Sequence, residues 1–129
     1  MANVASLKCV RMFAGDDGES HLEQREVEMR TKMFAPPASP LDVADPVAVS
    51  SFSLLRLAAG WQGEWHASPS RQWLFFLTGA VEMEVSHGEA HSASAGSIVL
   101  LEDTAGKGHH TRVVRREAVV IAAVRVPVP

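Results

Sequence analysis

Two stretches of this chain bring together side chains that can do chemistry. The first places His66, Ser68 and Gln72 between Gly60 and Gly79, and the second is the run Glu102-Asp103-Thr104-Ala105-Gly106-Lys107-Gly108-His109-His110. Neutral imidazole is a ligand suited to Zn, Ni, Cu or Fe, whereas a glutamine offers only a neutral carbonyl oxygen. Strand periodicity separates the two adjacent histidines of the second stretch, because successive side chains alternate sides. His109 shares a face with Thr111 and Val113, and His110 shares one with Arg112, whose charged head prefers water. His109 is therefore the histidine expected to face inward. The same parity puts His66 and Ser68 on one face, with Gln72 across the Pro69-Ser70-Arg71 turn at the start of the next strand.

The elements that must position these groups read as strands. Helical periodicity is nearly absent, and short apolar or alternating runs separated by Gly, Pro and Asp turns recur from Leu7 onward. In Val81-Glu82-Met83-Glu84-Val85-Ser86 the apolar residues fall on one face, and His87-Gly88 reads as a tight hairpin turn. A returning strand to Ala93 and a buried strand over Ser97–Leu101 follow. Ala118–Val124 and Trp73–Leu77 are apolar on both faces. Strands of that kind need cover on two sides, from a second sheet, an N-terminal arm or another subunit, so a homodimer is expected. Pro36, Pro37, Pro40 and Pro46 make residues 35–50 an extended connection rather than an interior strand.

At 129 residues and 47% hydrophobic content, the chain has the size and apolar content of one domain with a real core. Its formal net charge is -3, with both signs interspersed, so no electrostatic footprint for nucleic acid or an anionic membrane is present. Small molecules or protein partners are the expected ligands. The first twenty residues lack the basic start, apolar core and cleavage site of a leader, and a soluble cytoplasmic protein is expected. Cys9 lies in an apolar run without a neighbouring histidine, so it reads as packing.

The first stretch fits, from end to end, the frame G-x5-H-x-H-x3-E-x6-G, with Ser68 in place of the second His and Gln72 in place of the Glu. The second opens at Gly96 and carries Glu102-Asp103-Thr104-x-Gly106-Lys107-Gly108-His109, and an upstream segment reads Asp17-Gly18-Glu19-Ser20-His21. In these features the chain resembles the cupin superfamily, in particular a group of small single-domain bacterial cupins of the RmlC-like type. The resemblance implies an all-β jelly roll, a double-stranded β-helix barrel. The expected organisation is one cupin domain over 1–129, with N-terminal strands or an arm over 1–34, a connection over 35–50 and the cupin core over 51–129.

The resemblance also implies a site. His66, Gln72 and His109 would converge in the barrel mouth as ligands of a divalent transition metal (Fe, Zn, Ni, Mn or Cu), with affinity reduced by the loss of the carboxylate. Asp103 or Glu102 would act as base. Ser68, Arg71, Leu74, Phe76, Lys107 and Thr111 would line the substrate pocket, Arg71 and Lys107 meeting an anionic group. On this reading the protein is a metal-assisted enzyme, an oxygenase, isomerase or lyase acting on a small, carboxylated organic substrate. The alternative is a metal-free, non-catalytic binding module, which the replacements at Ser68 and Gln72 favour. The chain has no tyrosine, which excludes a tyrosine acid or radical.

Competing motifs fail on spacing. Gly106-Lys107-Gly108 is not a phosphate loop, since Leu101 stands where its first glycine belongs and Gly108 where Ser or Thr belongs. Asp16-Asp17-Gly18-Glu19 lacks the alternating acidic ladder of a calcium loop. His21, His87 and His91 lie near turns or on exposed strand faces and read as surface residues. Trp65 and Trp73, out of phase with His66 and Gln72, read as packing.

Overall fold

Alternation and turn chemistry produce ten strands in the computed structural model, which describes residues 4–127. The ends of the expected 1–129 domain, residues 1–3 and 128–129, lie outside the described residues. The strands are β1 (Val4–Ala14), β2 (Ser20–Lys32), β3 (Leu41–Ala44), β4 (Ser51–Leu57), β5 (Gln72–Thr78), β6 (Ala80–Val85), β7 (Ala90–Ser94), β8 (Ile98–Glu102), β9 (His109–Val113) and β10 (Val119–Arg125). They form a seven-stranded sheet in the order β3-β2-β1-β8-β5-β10-β4 and a three-stranded sheet in the order β7-β6-β9. Backbone bridges from Gln62 to Arg112 and from His66 to His109 carry the smaller sheet across the loop before β5. No helix among the described residues is long and apolar enough to cross a membrane.

The two sheets face each other over one core. Leu74 and Phe76 of β5, Val81, Met83 and Val85 of β6, and Val119, Ile121 and Ala123 of β10 point inward and are buried, joined by Met12, Val99 and Leu101. The polar or exposed residues between them follow from the pleat. The opposite face of β5 and β10 carries Trp73, Phe75 and Val124, which with Leu7, Val47, Val49 and Ile98 surround an apolar depression of about 260 Å³. Part of the expected connection thus lies on this outer face, and residues 41–44 within it add an edge strand to β2, the position in a sheet that proline-rich segments tolerate.

The N-terminal strands are integral to the larger sheet. β1 pairs with β2 antiparallel along its whole length and with β8 in parallel, where Val10 meets Val99 and Phe13 meets Glu102. That pairing brings the start of β2 over the end of β8 and the loop that follows it. The site depends on this contact.

Candidate functional site

His66 and His109 are brought together by backbone pairing. Each donates its N–H to the other's carbonyl at 3.0 Å, and their ring centroids lie 4.9 Å apart. Gly108 makes the approach possible. Its φ is +79°, and a Cβ there would sit 2.1 Å from the His66 carbonyl oxygen, so no other residue fits without moving the backbone.

Both rings line a cavity of about 130 Å³ between the sheets, together with Gln72 and Thr111. Its other walls are apolar, from Leu74, Phe76, Met83 and Leu101 to Trp61 and the edge-strand residues Leu55 and Leu57. Gln72 enters from the first position of β5, opposite Leu101 and Arg125.

The orientation of the rings is fixed from behind. His109 is 3% exposed, and its Nδ1 lies 2.7 Å from Asp103 Oδ2. A carboxylate oxygen in this geometry accepts, so Nδ1 carries a proton, and in the neutral ring the lone pair is on Nε2. His66 Nδ1 lies 2.7 Å from the Glu64 carbonyl oxygen, which can only accept, so the same tautomer follows. In their neutral forms the two rings thus carry their lone pairs on Nε2 and line one small cavity.

The structure assigns surroundings to Asp103 and Glu102 that do not suit a base. Asp103 is fully buried and accepts hydrogen bonds from Ser20 Oγ at 2.8 Å, Ser68 Oγ at 2.7 Å and the His109 ring. It positions an imidazole and has no side toward the cavity lining. Glu102, on the strand face away from the core, is held between the guanidinium groups of Arg11 and Arg71. Burial pushes its carboxyl pKa up, but the two arginines outweigh this and leave it below the usual carboxylate value.

The expected pocket residues divide in the same way. Leu74, Phe76 and Thr111 line the cavity. Ser68 is buried behind it, on Asp103. Arg71 is turned to Glu102, on the wall of a different depression. Lys107 is exposed and pairs with Glu19 at 2.7 Å, outside the cavity. Among the described residues no cation lines the cavity, so Arg71 and Lys107 do not meet a carboxylated substrate there. Trp61 also lines the cavity, and the Trp65 ring packs with its centroid 4.5 Å from that of the outward-facing His110.

A second histidine cluster lies on the surface. Asp17, His21 and His87 place one ligand atom each within 4.8 Å of one another, a grouping of three groups that can hold a metal ion. Sequence reading treats His21 and His87 as separate surface residues because 66 positions divide them, and only the β1–β2 turn and the β6–β7 hairpin bring them together.

No family model matches the chain, and no curated protein matches it. Solved structures do. The cupin domain of Schizosaccharomyces pombe Cnp3 superposes with a TM-score of 0.50 at 11% identity, over 95% of this chain and 84% of that one. The fold is that of a cupin barrel. A cupin 2 conserved barrel domain protein from Salinispora arenicola is similar at TM-score 0.49 and 22% identity, covering 77% of this chain and 76% of that one. The CENP-C domain of Drosophila melanogaster is similar at TM-score 0.46 and 10% identity, covering 90% and 72%.

Cupins of the resembled kind hold a metal, and the donors in this cavity test whether one fits. Two imidazole nitrogens and the Gln72 amide are present, but the two nearest carboxylates are committed to Ser20, Ser68 and His109, or to two arginines. The set lacks the anionic oxygen of the two-His, one-carboxylate iron arrangement and does not fit it.

Proposed function

We propose that this cupin barrel binds a small, largely apolar organic molecule carrying one neutral hydrogen-bond donor, such as a hydroxyl group, and does so without a resident metal. One observation carries the reading. Two imidazoles with their Nδ1 sides committed stand at a mostly apolar cavity of about 130 Å³, beside the neutral polar groups of Gln72 and Thr111 and with no cation and no carboxylate among its lining residues. That volume is close to the roughly 150 Å³ of an apolar cavity that takes up benzene. An acceptor pair set in apolar walls selects a ligand that donates, because a ligand without a donor leaves the imidazoles desolvated and unpaired.

The probe is phenol, with toluene and benzoate as comparisons, followed through the histidine ring nitrogens by NMR and through the fluorescence of Trp61. Phenol is expected to shift Nε2 of both histidines and to bind at least about tenfold more tightly than toluene, from one hydrogen bond of about 1.4 kcal/mol. Equal binding of all three, or no shift at either ring, sinks the proposal.

A second reading is favoured by one specific feature. A carboxylate behind Nδ1, as Asp103 stands behind His109, is the arrangement that orients histidines bound to metals. On that reading His66, His109 and Gln72 hold a divalent transition metal in a metal-assisted enzyme. Metal analysis of protein purified without chelator or nickel resin separates the two. One equivalent that disappears in His66→Ala and His109→Ala favours the metal, and its absence after loading with Fe, Zn, Ni, Mn or Cu favours the metal-free pocket.

We also propose that the protein pairs as a homodimer through the outer face of the large sheet. Phe52 and Leu54 on the edge strand are each 63% exposed and continue the apolar surface of Trp73, Phe75 and Val124. A continuous apolar surface of this kind favours a partner over water. A monomer by analytical ultracentrifugation at tens of micromolar would exclude it.

A further inference from the structure

We propose that Asp17, His21 and His87 form a second, independent ligand site on the outside of the barrel, which binds one divalent ion of the Zn(II), Ni(II), Cu(II) class. The cluster differs from the cavity pair in containing an anionic oxygen. Two imidazoles and one carboxylate match the preference of these ions for mixed nitrogen and oxygen donors, with positions left over for water.

The three ligands stand on a framework that is already set. Asp17 Oδ1 accepts the Glu19 N–H at 2.9 Å, and the turn around it is closed by bonds from Gly15 N–H to the Glu19 carbonyl and from Gly18 N–H to the Gly15 carbonyl. His21 is packed against Gly15 and stacks on Phe13 with ring centroids 5.5 Å apart. His87 sits at the tip of the β6–β7 hairpin, and its N–H donates to the Ser20 carbonyl at 3.3 Å. Its ring lies 4.3 Å from that of His21, centroid to centroid.

Side-chain contacts already bring donor atoms to one point. His21 Nε2 lies 2.9 and 3.0 Å from the two Asp17 carboxylate oxygens, so without an ion it must spend its proton on that carboxylate. Metal binding expels or relocates that proton, and the affinity should fall as pH is lowered. The ion would tie the β1–β2 turn to the β6–β7 hairpin, two segments far apart in sequence. The alternative role for these residues is an ordinary surface pair between Asp17 and His21 with His87 stacked beside it, which binds no ion.

The test is isothermal titration of the full chain with ZnCl2 after removal of metal by chelator and dialysis, with Co(II) absorption as a second readout. One equivalent is expected, weakened at least about 100-fold in His87→Ala and in Asp17→Asn, since even loss of an outer-shell partner costs about 10- to 100-fold. The double variant His66→Gln/His109→Gln is expected to keep it. His87 is exposed at a turn, so its substitution leaves the fold intact, and His87→Asn provides a second check. No binding by the wild type, unchanged affinity in the His87 and Asp17 variants, or loss confined to the His66/His109 variant would each overturn the proposal.

Discussion

The chain holds two pairs of neighbouring histidines, and they are built in opposite ways. His66 and His109 are joined through their backbones, oriented from behind, and turned toward an apolar space with no carboxylate among its lining groups. His21 and His87 meet through their side chains at the surface, with Asp17 directly among them. The first arrangement suits recognition of a neutral donor and the second suits a cation. Proximity of imidazoles therefore says little about chemistry until the fate of the neighbouring carboxylate is known. At the inner pair Asp103 is consumed in positioning, and at the outer pair Asp17 remains in contact with the ligand atoms.

The most damaging way to break the inner arrangement is Gly108→Ala. The left-handed φ alone costs about 1–3 kcal/mol for a residue with a Cβ, and contact with the His66 carbonyl adds to it. A loss of more than about 3 kcal/mol in urea unfolding is expected. Asp103→Ala should follow at about 3 kcal/mol, since it strands two buried hydroxyls and the His109 N–H at once. It should also release the His109 tautomer, visible in the ring nitrogen shifts, while leaving the His21 signals where they are. If His109 keeps its Nδ1–H form in Asp103→Ala, the positioning role is wrong.

Glu102→Gln probes the face behind the cavity. Because the folded carboxyl lies below its ordinary value of 4.5, its charged form is stabilised by folding, and that stabilisation is present at neutral pH and lost as pH falls below about 4.5 through the folded value. The variant should lose about 1–2 kcal/mol at pH 7, allowing for partial exposure of the arginines, and show a flatter stability profile between pH 5 and 3. An unchanged profile would mean that Arg11 and Arg71 do not hold Glu102 in solution. His87→Ala should be the mildest, within about 0.5 kcal/mol in metal-free buffer. It sharpens the contrast with the inner pair, where every neighbour is structural.

Much of the architecture was legible from pattern alone. The β6–β7 hairpin, β8 and β10 follow from alternation, apolar runs and turn residues, and the inward side of β5 and β10 from the pleat. Parity separates His109 from His110 because strand alternation is local. What local pattern does not carry depends on tertiary contacts. Nothing local distinguishes Asp103 from a base at a pocket rim, since its partners come from Ser20 and Ser68, 83 and 35 positions away. Glu102 is similar, its two arginines lying on β1 and in the loop before β5. The Asp17, His21 and His87 grouping required knowing that the start of β2 meets the end of β6, a contact that no turn announces.

The reach of Asp103 to Ser20 has a consequence for how the protein matures. The hydroxyl that helps hold Asp103 arrives on a strand from the beginning of the chain, while Asp103 and the imidazole lie near the end, so the full set of bonds behind the ring forms only when both parts of the chain are in place. Contacts this distant in sequence carry a loop-closure cost and slow folding. A barrel whose β2 has not yet docked would leave Asp103 one hydrogen bond short and hold His109 less firmly, so hydrogen exchange at Ser20 is expected to track the gain of binding during refolding.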